Sequence, residues 1–207
     1  MISLFILSCE KEKEPINPPI DIYADFKTQT DIQFSGTLLG NETSWVYDIG
    51  NDSIDTSYGF TWGLTSDPTI QQCVFQIYTY EKRAENYLLI VKSPAFSIYS
   101  TYSYKKSIFE VGEKKFNSAS NAIFEGFEVI LISKNRNYST SFGNQDSSSF
   151  EIIKMEELPA NPEKFEPPKL RLWIVVSCNL YEGGNIEKSG EIKDGKFIAE
   201  ITLDSKI

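Results

Sequence analysis

The chain has 207 residues, 41% of them hydrophobic and 24% charged, enough for one domain whose core needs no disulfide support. Its formal net charge is −9 and no Lys or Arg run forms a stripe, which excludes nucleic-acid phosphates and electrostatic docking on anionic lipid. It contains no His, so Ser-His-Asp and Cys-His catalysis and imidazole zinc ligation are excluded, and carboxylates and Lys remain as acid–base groups.

At the N-terminus, Ile6-Leu7-Ser8-Cys9 resembles the lipobox at which bacterial lipoproteins are cut and lipidated, with Leu7 departing from its commonest form. The resemblance implies that residues 1–8 are a signal peptide, shorter than usual and without a basic start, as a truncated leader would be. It also implies that Cys9 carries acyl chains of palmitate type, two or more of which give stable membrane anchoring. Residues 10–19 are charged and then proline-rich, which suits a hydrated, extended tether and not a core. The domain proper is expected to span 20–207.

From Ile20 onward, short alternating segments rich in Val, Ile, Thr, Tyr and Phe are bounded by Gly, Asn, Asp and Pro. Strands are expected over 32–38, 44–47 and 57–64. In 72–80, Cys73, Phe75, Ile77 and Thr79 share one face, and this segment is expected to pair with 87–91 as a hairpin. Residues 95–121 fit neither period and are read as loop with one strand at most. Residues 122–132 read as a strand interrupted at Gly126, followed by strands at 138–142 and 148–155. The four prolines of 159–168 mark a surface crossover loop. Residues 170–180 are the most apolar run after the N-terminus, read as the central strand covered on both faces. Asp194-Gly195 is a favoured two-residue turn, so 190–201 reads as a hairpin. No fixed-period repeat is found. The pattern predicts an all-β fold: a single antiparallel β-sandwich, or a flattened barrel, of about ten to twelve short strands.

Phe34, Leu38, Gly40 and Trp45 near the start, and Asp194, Gly195 and Phe197 near the end, together with the N-terminal Cys and polar tether, resemble the outline of uncharacterised envelope lipoproteins of Bacteroidota. The resemblance implies a β-sandwich at the outer membrane and carries no activity or catalytic residue.

Chemistry-bearing residues are few. Glu125, Glu128, Glu156 and Glu157 read as solvated charges, not as a facing acid pair. Cys73 and Cys178 lie in apolar strands and are either a disulfide across the sandwich or two buried thiols. Asp48, Asp52 and Asp55 cluster with amide oxygens, but their spacing lacks the EF-hand pattern and reads as a hydrated turn; Asp52-Ser53-Ile54 also resembles a short O-glycosylation motif of Bacteroidota envelope proteins. No metal or cofactor is expected. Aromatic residues make up 14% of the chain. Trp45, Trp62, Tyr99, Tyr102 and Tyr104 lie near turns or polar neighbours and are candidate stacking rings for a glycan, although Trp and Tyr also serve as core-filling strand residues. Trp173 is assigned to the core. The expectation is a lipid-anchored, non-catalytic binding module for a glycan or other surface ligand, with an assembly or adhesin component as the alternative.

Overall fold

A computed structural model describes residues 20–47, 56–79, 87–117, 124–133, 136–164 and 166–202. Cys9, the tether and the acidic cluster at 48–55 lie outside the described residues. The order is α1 (Ala24–Thr28), β1 (Gln33–Leu38), β2 (Asn41–Val46), β3 (Thr56–Leu64), β4 (Ile70–Thr79), β5 (Tyr87–Lys92), β6 (Phe96–Ser97), α2 (Tyr102–Ser107), β7 (Gly112–Glu113), β8 (Glu128–Ser133), β9 (Arg136–Ser139), β10 (Ser149–Leu158), β11 (Lys169–Glu182) and β12 (Gly190–Thr202).

The strands form one antiparallel path, β2-β1-β12-β11-β9-β8-β5-β4-β3, with β10 and β7 continuing from β11 and β6 attached to β4. The path folds over at Tyr181 and Glu182, where the end of β11 pairs with β9, so two layers face each other. The sheet does not close, and the architecture is the expected all-β sandwich. Phe34, Leu172, Ile174 and Phe197 from one layer meet Phe75, Ile77, Val129 and Leu131 from the other. Alternation decides which side chains enter this core. The expected hairpin of β4 and β5 forms, and Cys73, Phe75, Ile77 and Thr79 are its buried set.

Four expectations are corrected. β12 is one continuous strand, not a hairpin: Asp194 and Gly195 form a β-bulge that shifts its register against both β1 and β11. Asp194 has φ of 49°, and its N–H is accepted by Ser177 Oγ at 3.0 Å. An Asp-Gly pair prone to left-handed backbone serves a bulge as readily as a turn. β10 and β11 pair directly, so 159–168 is a hairpin loop and not a crossover. Among the described residues, the strand expected over 122–132 begins only at Glu128. A Cβ on Gly126 would lie 2.4 Å from the Phe116 carbonyl carbon, and this close approach lets Phe127 bridge to Phe116. Finally, β11 is covered on both faces only over 172–174 and at Leu180 and Tyr181, and between these stretches it alternates buried with partly exposed residues.

What covers Trp173 is α1, in a stretch to which no element was assigned from sequence. Phe26 packs on Trp173, Ile198 and Ile153 against the outward face of the β10-β11-β12 layer. Trp173 Nε1 donates to the Gln29 carbonyl at 2.8 Å, and Lys154 Nζ sits 3.9 Å from the Trp173 ring centroid while donating to the Lys27 carbonyl. Trp173 is therefore fully buried, but in a satellite core under α1 and not between the sheets. The second helix, α2, lies in the stretch read as loop. Thr101 caps it by accepting the Tyr104 N–H, and Phe109 just beyond it anchors the segment in the main core.

Candidate functional site

The sequence-designated rings separate in the structure. Trp45 faces inward at 7% exposure, its ring 5.3 Å from Phe34 and 5.8 Å from Tyr87, so it offers no surface to a ligand. Its polar neighbours Ser44 and Thr43 suggested a rim position, but Trp45 pairs across the ladder with Phe34 and shares its buried face. The Trp62 side chain lies outside the described residues. Tyr99, Tyr102 and Tyr104 are all exposed. They do not make one platform: residues two apart on a helix point about 200° apart, which separates Tyr102 from Tyr104. Tyr102 is moreover held by a hydrogen bond to Glu157, and Lys106 pairs with the same carboxylate. These donors, Lys106 first, keep the Glu157 carboxyl below its usual range.

Cys73 and Cys178 are free, buried thiols in the main core, one on each layer. Burial raises the Cys73 thiol and pushes Cys178 up to about 12, so both remain protonated and unreactive. Glu128 departs from its reading as a solvated charge. Its carboxylate is buried and accepts from Ser139 Oγ at 2.7 Å, Ser141 Oγ at 2.9 Å and Lys92 Nζ at 3.1 Å. This network ties β8 to β9 and β5, and no facing acid accompanies it among the hydrogen bonds that hold it. Glu125, Glu156 and Glu157 are exposed, as expected.

The residues that do converge lie on the outward face of the β1-β12-β11 layer. Arg171 and Glu200 are cross-strand partners on β11 and β12, and their phase opposite Leu170 and Leu172 points them away from the core. Arg171 Nη2 and Nε contact one Glu200 oxygen at 2.6 and 3.0 Å, and Lys169 approaches the other at 3.5 Å. The two side chains are 18% and 15% exposed, shielded enough to be held in one geometry. Nη1 has no protein partner among the described residues.

β1 begins at Gln33, opposite Ile198, so two residues further along β12 Glu200 would have an unpaired backbone edge. The Tyr58 hydroxyl fills it, accepting the Glu200 N–H at 3.0 Å and donating to the Glu200 carbonyl. Enclosure of this hydroxyl pushes it well above the ordinary tyrosine range. The Tyr47 ring stands 6.2 Å from that of Tyr58, and the Tyr47 N–H donates to the Ile32 carbonyl at 2.8 Å. Together Thr30, Asp31, Ile32, Val46, Tyr47, Arg171 and Glu200 enclose an open cleft of about 570 Å³. It offers a carboxylate, a fixed guanidinium and an aromatic ring, a set suited to polar groups on an otherwise flat ligand.

Sequence reasoning missed this site because its residues come from four distant segments. One signal was available: Arg171 interrupts the apolar run at the alternation phase opposite Leu170 and Leu172. Compared with known proteins, the chain matches no family model, no curated protein and no solved structure.

Proposed function

We propose that this protein is a lipid-anchored module of the bacterial cell envelope, of the Bacteroidota outer-membrane lipoprotein type, that binds a glycan without chemically altering it. The cleft between Tyr47 and the Arg171–Glu200 pair carries this reading. Sugar hydroxyls both donate and accept, and this cleft would offer them an exposed carboxylate, Asp31, and a guanidinium whose Nη1 has no partner among the described residues, beside an aromatic ring. The anchor would be Cys9 at the lipobox-like sequence, with the charged and proline-rich residues after it holding the domain off the membrane. The net charge of −9 supports acyl chains over surface electrostatics as the means of attachment.

Binding of the full chain to a panel of polysaccharides tests the reading. Saturable binding that Tyr47→Ala or Arg171→Gln abolishes without lowering Tm supports it, whereas binding that survives both variants assigns the ligand elsewhere. One observation favours assembly as a second reading. Among the described residues β2 pairs with β1 alone, so its outer backbone edge is open to a donated strand.

A further inference from the structure

A second cleft, of about 490 Å³, lies on the same outward face as the first. Its floor is bare backbone. Gly36 has φ of 151°, and a Cβ there would sit 2.8 Å from the Gly195 Cα, so β1 and the bulge of β12 touch without side chains between them. Around this floor stand Ser35, Thr37, Ser44, Glu42, Asp194 and Lys196. Ser35 pairs with Ser44 on one side and Lys196 on the other, and the next row toward α1 is Phe34, Trp45 and Phe197, all buried. The Ser35 row therefore faces out. By the same alternation, Gln33, Val46 and Ile198 face out one row further, beside the first cleft.

The two clefts repeat one chemistry. Each is lined by two acids and one base: Glu42, Asp194 and Lys196 in one, Asp31, Glu200 and Arg171 in the other. They are displaced along β1 from Thr37 to Ile32, which at the rise of an extended strand is about 17 Å. We infer that the two clefts are subsites of one track, running along β1, for a linear and uncharged polysaccharide chain. The inference rests on the glycan reading above and adds the ligand's form and charge. Repetition of one donor–acceptor set along a strand axis is what a ligand built of repeating units requires. Four acids against two bases disfavour an anionic chain, and each cleft also carries a base, Arg171 paired with Glu200 in one and Lys196 in the other, which weakens the field a cationic chain would need. A donated peptide strand would instead use the β2 edge, whereas both clefts open on the sheet face.

The test is calorimetric titration of the full chain with dextran, xylan, mannan and galactan, with polygalacturonate and chitosan as charged comparators, followed by a size series of oligosaccharides from whichever polymer binds. Affinity should rise about tenfold from the disaccharide to a chain long enough to reach both clefts, and then level off. Ser44→Phe, which fills the second cleft, should return the long chain to the affinity of the short one and leave the short one unchanged. Ser35→Gln fills the same cleft from the neighbouring strand and serves if Ser44→Phe lowers Tm. Length-independent binding, or long-chain binding indifferent to both variants, overturns the track while leaving the glycan reading intact. Binding confined to polygalacturonate or chitosan overturns the charge assignment. Failure of every glycan to bind overturns both readings.

Discussion

The two faces of the β1-β12-β11 layer are made by the same strands and differ in almost everything else. Inward, Phe34, Phe197, Leu172 and Ile174 are fully buried against the opposite sheet. Outward, the same strands present Ser35, Lys196, Arg171 and Glu200, with one apolar island where Phe26 covers Trp173 and Ile198. Period-two alternation lets one strand carry stability on one side and recognition on the other, so the two can be broken separately.

The largest effect is expected inside. Phe34→Ala should cost about 3–5 kcal/mol in denaturant unfolding, because it removes a ring packed on Trp45 and Phe197. A similar loss from any outward polar residue would erase the distinction between the faces. The inward face should also govern alkaline stability. Folded Cys178 holds its proton up to about 12, whereas an exposed thiol ionises near 9.0, so the unfolded chain binds fewer protons above that pH. Its contribution is complete below about pH 9 and declines as pH rises toward 12, by about 1.4 kcal/mol per pH unit for one thiol. Unfolding measured from pH 8 to 11 should show this fall together with those of buried Cys73 and Tyr58, and Cys178→Ala should make it shallower by the share of one thiol.

Outward changes should be smaller. Phe26→Ala should cost about 2 kcal/mol, the burial of one ring in the satellite core. Gly36→Ala should cost about 1–3 kcal/mol through its backbone angle and the contact with Gly195, and it would show whether the bulge floor is as tight as its geometry indicates. Tyr104→Ala, at an exposed ring without a partner face, should change stability by less than about 0.5 kcal/mol and leave glycan binding intact.

Alternation made the inward face legible in sequence: the buried set of β4 and the Phe197-Ala199-Ile201 stripe of β12 follow directly from spacing. The errors arose where one local preference serves two structures. Asp194-Gly195 supplies a left-handed backbone whether the strand turns or bulges, and only the neighbours β1 and β11 decide between them. Trp45 has polar sequence neighbours, and its burial follows from its partner Phe34 and not from those neighbours. Glu128 resembles any strand carboxylate until the β8–β9 hairpin brings Ser139 and Ser141 to it. The cleft was illegible for a related reason. Asp31, Tyr47, Arg171 and Glu200 meet through non-local pairing, and the helix that covers the apolar island beside them, α1, is too short to leave a periodic signal.

The most direct test of the outward face as the binding surface is amide chemical-shift mapping of the full chain, titrated with the longest neutral oligosaccharide that binds. Perturbations should run along Ser35, Thr37, Ser44, Val46, Tyr47 and Arg171, and spare the segment from Tyr99 to Tyr104. A map centred on Tyr99, Tyr102 and Tyr104, with the β1-β2-β12 face unmoved, would contradict the account and return recognition to the exposed tyrosines of the α2 region.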